Sequence, residues 1–206
     1  MYSKRAGLIL GFHGCDETVR DKVVSRKGEL LKPSENDYDW LGHGIYFWEN
    51  NYERALQYAN NIKKNPGRSK QQISKPSVLG AVIDLGHCLD FLDSEYLELL
   101  KVGYDVLRES TQKFKLPIPE NKPVGKAGDL LLRHLDCAVI QVVHQINEVL
   151  KKPAFDSVRG VFFEGDDLYP NAGFKEKNHI QIAIRNINCI KGFFIPRELD
   201  PDLPKP

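Results

Sequence analysis

Two short segments of the sequence combine glycines with side chains that could bind a planar ligand. In the first, the apolar run 7–12 ends in His13-Gly14, and in the second, Gly42-His43-Gly44 leads into Ile45-Tyr46-Phe47. A glycine at a strand end lets backbone N–H and C=O groups approach a ligand closely, and an imidazole beside it can hydrogen-bond a sugar hydroxyl. An aromatic face can stack on a flat ring while backbone groups bind an amide on it. These segments therefore indicate a site suited to nicotinamide.

Short strands and intervening helices must position these two segments. Apolar periodicity predicts strands over 7–12, 44–48, 78–85, 158–163, 180–184 and 190–195. Helical spacing predicts helices over 16–29, 51–64, 94–114 and 126–151. Segments rich in turn-forming residues are predicted to be loops over 32–43, 63–75, 115–125 and 165–178. Strands flank a pair of long helices on both sides in sequence, and this arrangement is typical of an α+β protein.

Composition sets limits on the kind of protein this is. A chain of 206 residues fits one domain over 1–206, and 29 basic against 28 acidic side chains leave a net charge of only +1. This balance predicts no general attraction to nucleic acid or to a membrane. The four cysteines lack the spacing of a metal site, so we expect no bound metal. We find no signal segment and no run of about 20 apolar residues, and we expect a cytoplasmic protein with reduced thiols.

The two glycine-containing segments resemble the first two motifs of poly(ADP-ribose) polymerases and related mono-ADP-ribosyltransferases. The resemblance is carried by His13-Gly14, by Gly42-x-Gly44-Ile45-Tyr46-Phe47, and by Ala55 and Tyr58 further on. It extends over 8–85 and, more loosely, over 156–195, with 94–151 as a helical insertion. The implied fold is a split, mostly antiparallel β-sheet with flanking helices.

The same resemblance implies that NAD is the co-substrate and assigns roles to these residues. His13 would contact a ribose of NAD, Gly14 would bind the carboxamide through its backbone, and Tyr46 and Tyr58 would enclose the nicotinamide. Phe47 completes the second motif and is included among the expected NAD contacts. A structural role in the core is the alternative for His13, Tyr46 and Tyr58.

The third motif of the family departs from its usual form in this chain. The family has a glutamate at the start of a late strand, whereas the corresponding segment 179–186 contains no acidic residue. One alignment places Gln181 at that position and another places His179 there, and we favour Gln181 because an amide can still hold a ribose hydroxyl. Glu164 closes the preceding predicted strand and could supply the missing carboxylate. The loop 165–178 lies where this family selects its acceptor.

The resemblance thus implies a mono-ADP-ribosyltransferase that modifies a macromolecule, protein or nucleic acid. Bacterial proteins of this kind include toxins and phage-defence effectors. Two alternatives stay open: a non-catalytic module that binds NAD, ADP-ribose or a partner, and an NAD-dependent RNA 2′-phosphotransferase. The latter would require additional arginines directed at a phosphate, and the sequence shows no clear set.

Overall fold

The computed structural model describes residues 7–25, 28–68, 72–124, 128–198 and 202–203. Within these residues, the strands of the main sheet are β1 (Ile9–Asp16), β2 (Ile45–Glu49), β3 (Pro76–Ile83), β4 (Cys88–Asp90), β7 (Ser157–Phe162), β8 (His179–Ile184) and β9 (Ile190–Phe194). Strands β5 (Asn121–Lys122) and β6 (Leu132–Arg133) form a separate pair. The helices are α1 (Glu17–Ser25), α2 (Tyr52–Lys64), α3 (Ser94–Phe114) and α4 (His134–Val149). The protein is therefore mixed α+β, as predicted.

Seven strands form one mostly antiparallel sheet in the order β4-β7-β8-β2-β1-β3-β9. Only the β4–β7 pair is parallel. Strand β1 pairs with β3 along all eight of its residues, but it shares only two pairs with β2, Gly11 with Glu49 and Phe12 with Trp48. The two central strands thus separate beyond Phe12, just where the first motif begins.

Both faces of the sheet are covered, because its central strands are apolar on both sides. One face carries Phe47, Leu79, Ile83 and Ile182, which pack with the buried part of α1. On the other face, Val158 and Ala183 pack with α4, while Phe12 and Trp48 pack with Ala55 of α2. Burial of these side chains from water is the main source of stability of such a layered fold.

A buried ion cluster joins three strands of the sheet. Arg159 of β7 donates to Glu49 of β2 at 2.5 Å and to Asp90 of β4 at 3.0 Å. Arg159 and Glu49 are only 4% and 8% exposed, so the two charges stabilise each other away from water.

The long predicted helix over 126–151 begins later than its apolar pattern indicates. Its observed first residue is His134, whereas Gly128 has a left-handed φ of +72° and Leu132–Arg133 pair with β5. A left-handed residue and a strand pair both exclude helical hydrogen bonding there. Residues 125–127 lie outside the described part of the chain. The insertion 94–151 is thus two helices joined through a small β-hairpin.

Two other elements also differ from the sequence prediction. Helix α1 ends at Ser25 instead of residue 29, since Gly28 has a left-handed φ of +89°. The segment 88–90, for which no strand is predicted, is the strand β4, because it pairs with the buried strand β7. Helix α3 is largely exposed: Leu97 and Val102 are 43% and 50% exposed, and Gly103 is its one buried residue. No helix in the described ranges is long and apolar enough to cross a bilayer.

The first motif is also held in place by helix α2. A Cβ atom placed on Gly14 would lie 2.1 Å from the carbonyl oxygen of Ala55. Only glycine lets the helix backbone come this close to the strand.

We therefore predict that Gly14→Ala lowers the free energy of unfolding by on the order of 3 kcal/mol, because α2 must move off the sheet. Chemical denaturation would measure this change. Gly192→Ala in β9 is the matched control, since a Cβ there would meet nothing within 4 Å. Equal stability of the two variants would contradict the packing argument.

Candidate functional site

The structure places His13 at the point where β1 and β2 separate. Its Nδ1–H donates to the carbonyl oxygen of Tyr46 at 2.7 Å, so the imidazole replaces the backbone hydrogen bond that the parted strands no longer make. Burial lowers the pKa of His13 below its ordinary value, although the bond to Tyr46 opposes this effect. At neutral pH the ring is therefore neutral, with a proton on Nδ1 and a lone pair on Nε2.

A cavity of about 370 Å³ lies beside His13 on the α1 side of the sheet. Its other polar lining includes Asp16, Lys22 and Lys32. Asp16 fixes the wall of this cavity, because its carboxylate accepts hydrogen bonds from Thr18 and from Ser74 and Lys75. The cavity is thus lined by both acidic and basic side chains, and His13, whose Nε2 can accept a hydrogen bond, also lines it.

Tyr46 points to the opposite face of the sheet from His13. The His13 ring contacts Phe47, at 5.8 Å between centroids, whereas the Tyr46 side chain packs with the apolar cluster under α4. The phenol oxygen accepts from the Leu41 N–H at 2.8 Å and donates to the Gly42 carbonyl at 2.7 Å. Burial raises the pKa of Tyr46 well above its ordinary value, so the phenol stays protonated. The hydroxyl therefore anchors the loop before β2, and only the ring is left to contact a ligand.

The two glycines of the second motif have packing reasons of their own. Gly42 adopts a left-handed φ of +73°, as the turn at Asp39–Gly42 requires. A Cβ on Gly44 would lie 2.9 Å from the carbonyl oxygen of Ile184 in β8. Both glycines are thus needed to bring β2 against β8, whether or not a ligand binds.

Beyond Tyr46, the same face of the sheet carries an arginine–aromatic cluster that the sequence did not indicate. We use this name for Trp40, Trp48, Phe162 and His179 together with Arg54 and Arg133. Ring centroids of His179 lie 5.9 Å from Phe162, 6.1 Å from Trp40 and 6.5 Å from Trp48. The Arg133 guanidinium lies 4.6 Å from the Trp40 ring and 4.9 Å from the Phe162 ring, and Arg54 lies 6.0 Å from the Trp48 ring. The cluster is contiguous, with His179 at its centre.

Several buried nitrogens of this cluster have no hydrogen-bond partner. They are Trp48 Nε1, Arg54 Nε, Arg133 Nε and His179 Nε2. Trp48 and His179 are each only 5% exposed. Buried polar groups are nearly always paired, and leaving one unpaired costs about 1–3 kcal/mol. This concentration of unpaired groups in one place is the strongest indication of a ligand site in the described residues.

His179 has a defined protonation state in this setting. Its Nδ1–H donates to the Lys177 carbonyl at 2.7 Å, so Nε2 carries the lone pair. Burial lowers the pKa of His179, and the positive charges of Arg54 and Arg133 lower it further, against the opposing effects of the Lys177 bond and Glu164. A neutral imidazole with a free acceptor nitrogen therefore lies at the start of β8.

The predicted residues Glu164 and Gln181 lie on the same side as His179. Glu164 follows β7 and is paired with Arg54 and, at 3.3 Å, with Lys177. Gln181 is half-buried, opposite Trp48 on β2 and Gly160 on β7. Alternation along β8 puts Gln181 and His179 on one face. The Glu164 carboxylate is thus already neutralised by two cations.

The structure therefore divides the sequence-predicted residues between two faces. Tyr46, Gln181 and Tyr58 lie with the arginine–aromatic cluster, and the Tyr58 ring is 5.1 Å from Trp48. His13 faces the α1-side cavity, and Phe47 is completely buried beneath it. His13 and the arginine–aromatic cluster thus lie on opposite faces of the sheet, close to the point where the pairing of β1 with β2 ends.

Arg54, Trp40 and Arg133 are site residues that the sequence patterns did not indicate. Arg54 precedes Tyr58 by one helical turn, so its spacing was a usable signal. Arg133 lies in the insertion, far along the chain from the motifs, and its position over Trp40 depends on tertiary packing alone. In the described residues, no group of three or more His, Cys, Asp or Glu side chains could hold a metal ion.

Comparisons with known proteins give one informative similarity. The chain is 26% identical over 196 residues to the uncharacterized protein MJ0359 of Methanocaldococcus jannaschii, covering 87% of this chain and 83% of that protein. No family model matches the chain, and no solved structure matches it.

The wall of the α1-side cavity should depend on pH through Asp16. Its hydrogen bonds, chiefly those with Lys75 and Thr18, hold the pKa of the carboxyl well below its ordinary value of 3.8. A depressed pKa gives stability that is complete above the unfolded-state pKa and is lost as pH falls below about 4. We predict that Asp16→Asn lowers the melting temperature at pH 7 and flattens its decline between about pH 4 and 2. A variant whose melting temperature declines as steeply as the parent's would contradict this.

Proposed function

We propose that this chain is an NAD-dependent mono-ADP-ribosyltransferase. The observation that carries the proposal is the neutral His179, whose buried Nε2 has no partner and lies on the strand next to β2, which bears the second motif. Strand β2 lies between β1 and β8, so residues of all three motifs are on neighbouring strands. Neighbouring strands are about 4.8 Å apart, and NAD is long enough to span them.

The nicotinamide end of NAD would lie on the Tyr46 face. Tyr46 and Tyr58 provide ring faces there, and the backbone of Gly14 lies on the same side beside α2. An NAD molecule that passes the gap between β1 and β2 would bring a ribose hydroxyl to His13, whose Nε2 can accept its hydrogen bond. This arrangement uses both faces on which the predicted residues lie.

His179 is the better candidate for the third-motif position. In the family resembled, that residue begins a late strand, and His179 is the first residue of β8. Its free Nε2 can accept a hydrogen bond from a ribose hydroxyl, which is what the family glutamate does. Gln181, two residues later on the same face, can hold a second polar group of the ribose.

In the proposed reaction, the bond between ribose C1 and the nicotinamide nitrogen breaks, and that nitrogen keeps the electron pair. An oxygen of the acceptor forms the new bond to C1, and a proton that this oxygen carries passes to solvent. Positioning of NAD and exclusion of water account for much of the acceleration in such a reaction. Incubation of the protein with labelled NAD and cell extract, followed by separation of protein from nucleic acid, tests for transfer. Unchanged NAD in every fraction would favour a non-catalytic binding module.

His13→Asn separates the structural role of His13 from its catalytic role. The amide N–H of asparagine can replace Nδ1 as donor to the Tyr46 carbonyl, but it leaves nothing at the position of Nε2. We predict that the folding stability of this variant is near that of the parent. Its NAD turnover should be at least about tenfold lower, because the transition state, in which charge develops on the ribose, loses a hydrogen bond. Full turnover in this variant would show that His13 serves the fold alone.

Tyr46 variants test whether the ring or the hydroxyl matters for NAD. Tyr46→Phe removes the bonds to Leu41 and Gly42 and should cost about 1–3 kcal/mol of stability, while its ring keeps NAD affinity. Tyr46→Ala should weaken NAD binding as well, because the stacking face is lost. Calorimetric titration with NAD, at a temperature where both variants are folded, measures the difference. Equal affinities in the two variants would exclude a stacking role.

A further inference from the structure

The arginine–aromatic cluster has a donor pattern that the proposed NAD contacts do not use. Of its four unpaired nitrogens, Trp48 Nε1, Arg54 Nε and Arg133 Nε are N–H groups that can only donate. Each is shielded from solvent, so water does not satisfy it at the surface. A ligand that pairs with them must bring several acceptor oxygens.

The two arginines are held in place by acidic partners that occupy other nitrogens. Arg54 binds Glu164 through Nη2, and Arg133 binds Asp136 through Nη1 at 3.2 Å. The Nε–H group of each arginine has no hydrogen-bond partner. Lys177, which also contacts Glu164, adds one more cation, so Arg54, Arg133 and Lys177 outnumber Glu164 and Asp136. The excess positive charge favours an anionic ligand.

We propose that this cluster binds a terminal phosphate of a nucleotide chain, and that the phosphate is the acceptor of ADP-ribose. The acceptor role rests on the proposed function, whereas the binding does not. Phosphate offers several anionic acceptor oxygens, and arginine N–H groups are its usual partners. The half-exposed rings of Trp40 and Tyr58 offer faces on which the attached base can stack.

A phosphate acceptor also explains why β8 lacks a carboxylate. A phosphate oxygen is ionised at neutral pH, so it can bond to ribose C1 without giving up a proton, and nicotinamide leaves with the electron pair of the broken C–N bond. No general base is needed for this step. A glutamate at the start of β8 would instead repel the incoming phosphate.

The chain contains its own probe of this site. Its two tryptophans, Trp40 and Trp48, both belong to the cluster, so tryptophan fluorescence, excited at a wavelength that tyrosine does not absorb, reports on the cluster. We would titrate the protein, without NAD, with a 5′-phosphorylated thymidine tetranucleotide and with the same tetranucleotide ending in a 5′-hydroxyl. We expect at least about tenfold tighter binding of the phosphorylated form, with an affinity that falls as salt is raised. Equal affinities would overturn the proposal.

Variants of the two cluster arginines test whether the phosphorylated tetranucleotide binds at this cluster. Arg54→Gln and Arg133→Gln should each weaken the phosphorylated tetranucleotide about tenfold or more. Arg108→Gln is the matched control, because Arg108 also lies over an aromatic ring and pairs with an acidic residue three positions away, but on α3. Loss of binding in the control, or full binding in both cluster variants, would refute the assignment.

Three further measurements separate this proposal from its rivals: competition with NAD, binding of a phosphopeptide, and transfer of labelled ADP-ribose. If NAD displaces the phosphorylated tetranucleotide competitively, the cluster binds the phosphates of NAD and the acceptor assignment is wrong. If a phosphoserine peptide binds as tightly as the tetranucleotide, the nucleotide assignment is wrong. If the phosphorylated tetranucleotide binds but no labelled ADP-ribose is transferred to it or to anything else, the phosphate site stands and the proposed function fails. Transfer to unphosphorylated acceptors alone would support the proposed function and overturn this inference.

Discussion

Strands β1 and β2 lie side by side at the centre of the sheet, yet only two residue pairs join them. Beyond those pairs, the hydrogen bond from His13 to the Tyr46 carbonyl holds the strands together. A side chain in this role can separate the strands by the width of an imidazole, which a backbone ladder cannot do. At this point the α1-side cavity lies on one face of the sheet and the arginine–aromatic cluster lies on the other. The bond thus lies between the two regions that contain the predicted site residues.

The side of the sheet that contains β4, β7 and β8 is stabilised by charge as well as by apolar packing. Arg159 joins β7 to Glu49 at the end of β2 and to Asp90 in β4, in a region almost closed to water. Removing one member of such a buried cluster costs more than the cluster adds, because the remaining charges lose their compensation. This explains how β7 and β8 keep a fixed position against β2. It also fixes Phe162 and His179, which pair across β7 and β8.

Sequence patterns predicted β2, β3 and α2 closely, because these elements have strong apolar periodicity. Strand β1 was predicted to end at residue 12 but runs to Asp16, because it pairs with β3 along its whole length and not only over its apolar residues. Sequence patterns failed where tertiary contacts determine where an element begins or which side chains meet. The pattern 126–151 is apolar enough for one helix, but the β5–β6 pair and Gly128 divide it. The motif residues were found because they are close in sequence. Arg133 was not found, because its role depends on contact with the ring of Trp40, which is 93 positions earlier in the chain. Whether the motifs act on NAD stays a prediction.

The sheet ends at both sides on short strands. Strand β4 has three residues and β9 has five, and Pro196, which has no N–H, follows β9 within two positions. An exposed strand edge is a template on which a second chain can add a strand, and short edges near a proline offer few free backbone groups for this. We therefore expect the two edges of this sheet to pair poorly with a strand of a second chain, although the strands at its centre are strongly apolar.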